Sequence, residues 1–292
     1  MKSIMDEFAR YGKPEVIHED EYWDSQTGLL MCSKCHTPRQ KHYEACGNAY
    51  CIRILCKCQK EERDRQEKIR KKQEWLDTVS RNRSLGMTDL SLRKYTFEND
   101  LGYNAEMKVA KQYVEHWDEM FANSRGLLIW GGVGTGKTFM AACIANALID
   151  QGVPVMMTNF ARILNTLTGL YSGDRNEYLD NLNKYPLLIL DDLGMERKSE
   201  FAQEQVFNVI DRRYSSQKPM IVTTNLTLHE LRQPETLAQA RIFDRVRERC
   251  VPLCVNGRNL RQELARENMA AAQRVLRPSE PSEPLGEDEL LD

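Results

Sequence analysis

The chain has 292 residues, of which 41% are hydrophobic and 29% charged, and its net charge is −2. That length accommodates one large domain or two smaller ones with a real core. The near-neutral balance lacks the basic excess of a chain that coats nucleic acid, so any such contact needs a local patch. The stretch from Met1 to Glu7 has no apolar signal-peptide core and no apolar run approaches a membrane span, so a cytoplasmic location with no membrane partner is expected.

Residues 1–30 are polar and acidic without a clear period, and are expected to be loosely structured. Six of the nine cysteines then fall between Cys32 and Cys58. Without a secretory signal, clustered thiols read as metal ligands more readily than as disulfides. Cys32-Ser33-Lys34-Cys35 and Cys56-Lys57-Cys58 form two knuckles separated by twenty residues, a pattern that suits tetrahedral Zn²⁺. Residues 1–58 thus read as a small module for which metal would supply much of the folding energy. Cys46, Cys51, His36 and His42 lie nearby and keep the ligand choice open. Cys32, Cys35, Cys56 and Cys58 are favoured because each pair is close enough for one knuckle. Residues 59–85 read as an exposed linker helix, with Asp64–Lys68 and Glu67–Lys71 pairs at i, i+4.

The remainder, 86–277, reads as one α/β domain. Lys108 to Phe121 is expected to be one amphipathic helix. Gly126 to Trp130 is an apolar strand. It leads into Gly131-Gly132-Val133-Gly134-Thr135-Gly136-Lys137-Thr138, and a helical run begins at Phe139. Strand, glycine loop and helix give G-x-x-x-x-G-K-T the context of a phosphate-binding P-loop. Gly132, Val133, Gly134, Thr135 and Gly136 would cradle a polyphosphate with backbone N–H groups at a helix N-terminus. Lys137 would reach the β- and γ-phosphates, and the Thr138 hydroxyl would ligate Mg²⁺.

Val153 to Thr158 reads as the next strand. Helices are expected near Phe160–Leu170 and Asn176–Leu182, with a break at Ser172-Gly173-Asp174. The run from Pro186 to Gly194 then places four apolar residues before Asp191 and Asp192. Such a buried parallel strand ending in two acids reads as a Walker B site. Asp191 would hold Mg²⁺, directly or through water, and Asp192 would orient or deprotonate the attacking water. After a helix from Phe201 to Ser215, Met220 to Thr224 is another buried strand, and Asn225 at its end could polarise that water. A helix over 237–249 carries Arg241, Arg245, Arg247 and Arg249. Such an arginine can complete a neighbouring subunit's site. A strand at Val251–Val255, a helix from Gln262 and an acidic tail, 278–292, expected to be disordered, close the chain. Alternating strands and helices predict a parallel sheet with helices on both faces.

The P-loop, Leu187-Leu188-Ile189-Leu190-Asp191-Asp192-Leu193-Gly194, Ile221-Val222-Thr223-Thr224-Asn225-Leu226 and Ala240-Arg241-Ile242-Phe243-Asp244-Arg245-Val246 resemble the AAA+ core of bacterial helicase loaders of the DnaC/DnaI type. They also resemble the IstB transposition helpers. The similarity covers roughly residues 90–265. It implies ATP dependence, assembly as a ring or spiral, single-stranded DNA binding and delivery of a hexameric DnaB-type replicative helicase gripped by the N-terminal segment. By the same resemblance Asn225 becomes sensor 1, Arg241 the arginine finger with Arg245 its competitor, and Arg258 or Arg261 a sensor 2. Arg162, Tyr171 and Arg175 become candidate DNA contacts.

The chain departs from the pattern in two places. Many AAA+ proteins have Glu where this chain has Asp192, which shortens the reach to water and points to slow hydrolysis. The stretch after Asn225 is short for a full helical lid. The expected function is therefore an ATPase helicase loader using ATP, Mg²⁺ and Zn²⁺. The alternatives are a transposition helper, and a nucleotide-gated adaptor with little turnover.

Overall fold

The computed structural model describes residues 18–45, 48–194 and 199–276. The acidic tail at 278–292, Cys46 and the first seventeen residues lie outside them. The chain divides into two compact units at Asp77–Thr78, inside one long helix, and each is described by itself.

The N-terminal unit contains two antiparallel hairpins. β1 (Glu21–Asp24) pairs with β2 (Leu29–Cys32), and β3 (Gln40–Ala45) pairs with β4 (Asn48–Arg53). The expectation of a loosely structured stretch up to residue 30 therefore fails from Glu21 onward. The reason is an ionic network that the sequence pattern does not display. Glu21 is 7% exposed and Arg39 is 6% exposed, and their side chains meet at 3.1 Å, with Arg53 closing on the second Glu21 oxygen at 3.1 Å. Burial alone would raise the Glu21 carboxyl, but hydrogen bonds from the His18 N–H and Arg39, with the charge of Arg53, hold it below its ordinary range. α1 (Lys57–Gly86) follows, a helix of 30 residues.

The second unit is built on a five-stranded sheet in the order β6-β7-β8-β5-β9, and every neighbouring pair is parallel. The strands are β5 (Gly126–Trp130), β6 (Val155–Asn159), β7 (Leu187–Leu193), β8 (Met220–Thr224) and β9 (Cys250–Cys254). Successive side chains on a strand face opposite sides, and this sorts the apolar runs into two cores. Leu187 and Ile189 join the core formed with α2 (Met107–Glu115), α3 (Trp117–Ala122) and α4 (Lys137–Asp150). Leu188 and Leu190 join the opposite core, with α5 (Phe160–Thr168), α6 (Ser172–Lys184), α7 (Glu200–Ser215), α8 (Leu228–Arg232) and α9 (Leu237–Arg249). α10 (Leu260–Leu276) closes the described chain. The parallel sheet flanked by helices is the expected fold. Among the described residues no helix is long and apolar enough to cross a membrane.

The end of α1 is fastened to the edge of this sheet. Gly86 lies against β6 so closely that a Cβ there would stand 1.7 Å from the Val155 carbonyl oxygen. Asn82 donates to the Gly152 carbonyl, and Arg83 pairs with Asp150.

Two local expectations are corrected, and one helix is added. The single helix over 108–121 is two helices that meet at His116, whose ψ of 27° turns the chain out of helical geometry. The break expected at Ser172-Gly173-Asp174 lies instead at Gly169–Tyr171. Arg175 reaches back to the Leu167 and Leu170 carbonyls at 2.8 and 3.0 Å and closes the end of α5, while Asp174 suits the positive N-terminal turn of α6. The short α8 was not anticipated, although Thr227 and Glu230 form a capping box readable as T-x-x-E.

Arg213 is fully buried. It donates to the carbonyls of Tyr185 (2.8 Å), Pro186 (2.7 Å) and Pro219 (2.6 and 3.1 Å), tying the chain just before β7 to that before β8. Charge-assisted bonds of this kind are worth about 2–3 kcal/mol together with the acceptors they satisfy. Arg213→Met is therefore expected to lower the thermal midpoint by roughly 5–10 °C. An unchanged midpoint in a thermal unfolding scan would contradict this role.

Candidate nucleotide site and cysteine cluster

The P-loop connects β5 to α4. Gly134 has φ of +78°, a conformation that disfavours any side chain, and a Cβ there would also lie 2.1 Å from the Asn259 side-chain oxygen and displace it. Thr135 is buried and donates to the Gly132 carbonyl at 3.0 Å, which tightens the loop. Gly132 and Val133 are exposed at its crest, and Gly136 leads into α4. Asn104 donates to the Thr135 carbonyl at 2.7 Å, and the Leu260 N–H donates to the Gly134 carbonyl at 3.0 Å. The loop is thus braced from before β5 and from the start of α10.

Lys137 is buried, and its ammonium donates to the carbonyls of Gly131 (3.0 Å) and Gly132 (2.6 Å) and to Asn225 Oδ1 (2.7 Å). Burial pulls the Lys137 ammonium below its ordinary value. The charges of Asp192 and Asp191 oppose that shift, and Arg261 adds to it.

Asp191 is 8% exposed at the end of β7. The Thr138 hydroxyl lies 3.1 Å from both of its oxygens, and the Thr223 hydroxyl donates to Oδ1 at 2.5 Å. Burial pushes the Asp191 carboxyl up, with Asp192 adding to the rise, while the hydrogen bonds from Thr223 and Thr138 pull against it. Asp192 is exposed, with φ of +60°. A register shift between Leu190 and Leu193 against β8 inserts one extra residue there. Asp191 is turned inward and Asp192 lies at the surface beside this bulge. The left-handed backbone also accounts for the residue type, because Asp adopts it far more readily than longer side chains.

The structure therefore brings together Lys137, Thr138, Asp191 and Asn225 at the C-terminal ends of β5, β7 and β8, with Asp192 beside them. Ligands of open parallel sheets bind at this edge. Thr223, Asn104 and Asn259 belong to the same locality and were not singled out from sequence. For Thr223 the available signal was a hydroxyl pair ending an otherwise apolar strand.

The arginines fare differently. Arg241 is exposed on α9 and makes no ion pair or hydrogen bond to the P-loop or to the β7 acids among the described residues. Arg245 is engaged within its own chain. It pairs with Asp211 at 2.7 Å and lies over the rings of Phe207 and Tyr214. Arg175 is similarly committed to backbone carbonyls and to the Phe201 ring. Arg162 pairs with Thr88. Tyr171 is 85% exposed between α5 and α6.

In the N-terminal unit, the ligand atoms of Cys32, Cys35, Cys56 and Cys58 all lie within 4.8 Å of one another. Cys51 stands apart on β4, opposite His42, and His36 is turned to the Tyr22 hydroxyl. The two knuckles are joined through Thr37, whose hydroxyl accepts from the Lys57 N–H at 2.9 Å and lies 3.1 Å from Cys35 Sγ. That hydrogen bond to Thr37, with the Cys58 N–H, holds the Cys35 thiol down to about 5, where it is a thiolate at neutral pH. Cys58 sits in the first turn of α1, and its contact with Cys56, together with burial, pushes its thiol up to about 12, so the proton is shared unevenly across the cluster. Four sulfurs at this separation form a donor set fitted to a tetrahedral thiophilic cation.

A family model described as IstB-like ATP binding protein matches residues 63–268. The chain belongs to this family. The replicative helicase loader DnaC of Buchnera aphidicola subsp. Schizaphis graminum is 32% identical over 161 residues, 54% of this chain and 63% of that protein. DnaC of Escherichia coli is 32% identical over 160 residues, 54% of this chain and 62% of that protein. The crystal structure of DnaI matches with a TM-score of 0.51 at 26% identity, over 61% of this chain and 98% of that one. The chain spans less than two thirds of the length of the loaders it matches in sequence. The fold is thus the expected AAA+ type of P-loop core.

Proposed function

We propose that this chain is an ATP-dependent loader of a DnaB-type replicative helicase. The observation that carries the reading is the convergence of Lys137, Thr138, Asp191 and Asn225 on one sheet edge, within residues 63–268 matched by the family model, in a chain that is 32% identical to DnaC loaders over 160–161 residues. The backbone N–H groups of Gly132–Thr138 bind the phosphates, and Lys137 exchanges its loop carbonyls for phosphate oxygens. Asn225, hydrogen-bonded to Lys137, would orient a water at the γ-phosphate, with Asp192 as its base. Thr138 and Asp191 are the residues that would hold Mg²⁺, which neutralises charge on the transferring phosphoryl group. Arg241 is free to reach a neighbouring copy's site, which fits assembly as a ring or spiral; Arg245 is not. Arg258 and Arg261 flank Leu260, whose N–H braces the P-loop at Gly134, and remain the two candidates for sensor 2. Exposed Tyr171 is the remaining candidate for stacking against single-stranded DNA.

Cys32, Cys35, Cys56 and Cys58 are proposed to hold one Zn²⁺ that staples the N-terminal unit, leaving it to grip the helicase. The whole reading places the protein in the cytoplasm. The IstB family match keeps a second reading in view, an ATPase helper of DNA transposition with the same site. Exposed Asp192 supports a third, an adaptor that binds ATP and scarcely turns it over.

Metal analysis of protein purified under reducing conditions is expected to give about one zinc per chain, and Cys35→Ser should lose it together with folding of the N-terminal unit. Zinc-free wild-type protein would end the assignment. Affinity capture from host extract with ATP present is expected to recover a hexameric replicative helicase, and Lys137→Ala should change the ATP dependence of that capture. Recovery of a transposase instead would favour the second reading.

A further inference from the structure

Thr223 is fully buried at the end of β8, and its hydroxyl makes two bonds to adjacent residues of β7. It donates to Asp191 Oδ1 at 2.5 Å and accepts from the Asp192 N–H at 2.9 Å. A single oxygen therefore touches both acidic residues at the site, one through its carboxylate and the other through its backbone. It does so where β7 carries one residue more than its partner strand, between Leu190 and Leu193. A bulge loses regular ladder bonds, and the Asp192 N–H is one of the groups left over. Thr223 supplies the missing acceptor. Its neighbour Thr224 donates to the Leu193 carbonyl at 2.7 Å, so the end of β8 secures the bulge with consecutive hydroxyls.

We infer that Thr223 is a positioning residue for the divalent cation at this site: it fixes the Asp191 carboxylate in the orientation that presents its second oxygen, with Thr138, to the metal, and locks Asp192 beside it. Oδ1 is held by both Thr223 and Thr138, whereas Oδ2 is bonded to the Thr138 hydroxyl at 3.1 Å and not to Thr223. Without the Thr223 hydroxyl the carboxylate can rotate about its terminal torsion, which is soft for Asp, and the Asp192 N–H loses its acceptor. Thr138 alone cannot restrain the rotation, because its hydroxyl is equidistant from both oxygens. Outer-shell partners of metal ligands typically contribute 10–100-fold in metal affinity. Thr223 reaches the site only through the Asp191 carboxylate and the Asp192 backbone, so its effect on nucleotide binding is expected through the metal.

The inference rests on the reading of the site as one for ATP and Mg²⁺, and the experiment separates the two. Binding of a fluorescent ATP analogue to the full chain is measured in excess EDTA and then across a Mg²⁺ titration. Wild type should bind more tightly as Mg²⁺ is added; if it shows no Mg²⁺-dependent binding, the ATP·Mg²⁺ reading fails and the inference falls with it. Thr223→Val, nearly isosteric, should bind within about twofold of wild type in EDTA while its Mg²⁺ midpoint rises about 10-fold or more. Thr223→Ser, which keeps the hydroxyl, should restore the wild-type midpoint. The inference is overturned if wild type responds to Mg²⁺ but the valine variant has the same midpoint. It is also overturned if serine and valine shift the midpoint equally, or if Thr223→Val and Thr223→Ala both unfold, since the residue is then structural.

Discussion

A carboxylate held between two hydroxyls ties the nucleotide site to the sheet. Asp191 is nearly dry, and an ionised carboxyl in that position is tolerable only where hydrogen bonds replace water. Thr138 provides them from α4 and Thr223 from β8. Three elements, distant in sequence, therefore meet on one side chain. The P-loop inherits its position from this junction, because Thr138 lies in the first turn of the helix that follows the loop. Lys137, one residue earlier, extends the connection to Asn225 at the end of the same β8. The strand order places β8 between β5 and β7, so the polar end of one central strand can reach both the phosphate cradle and the acids.

The N-terminal unit meets the opposite problem, a segment with too little apolar surface to make a core. It substitutes strong local interactions for area. Arg39 is buried against Glu21 and Asp20 and also reaches Cys32 Sγ at 3.5 Å, so the ionic network and the cysteine cluster are joined. α1 then carries Cys58 in its first turn and Gly86 at its last, so a single helix begins in one unit and ends on the sheet edge of the other.

Much of the second unit was legible in the sequence because its signals are local and periodic. Four apolar residues before Asp191 can be little other than a buried strand, and G-x-x-x-x-G-K-T between a strand and a helix has few other meanings. The cysteine knuckles were legible from spacing alone. What escaped depends on contacts across sequence. The bulge at Asp192 has no signature in the run Leu190-Asp191-Asp192-Leu193, and so its φ and the role of Thr223, 32 residues from Asp191, were hidden. The hairpin at Glu21 was missed because what stabilises it is an arginine 18 residues away. The arginines of α9 look alike in sequence. Only packing against Phe207, Tyr214 and Asp211 separates Arg245, which is engaged inside its own chain, from Arg241, which is not.

On this reading Lys137 and the β7 acids form a working hydrolytic site and not merely a phosphate-shaped loop. Steady-state ADP release by the purified full chain, compared with Lys137→Ala, tests it most directly. Slow but measurable turnover in the wild type, reduced about 100-fold or more in the variant, is the predicted result, in line with removing one charge-stabilising donor from such a site. Equal rates in the two proteins would contradict the account.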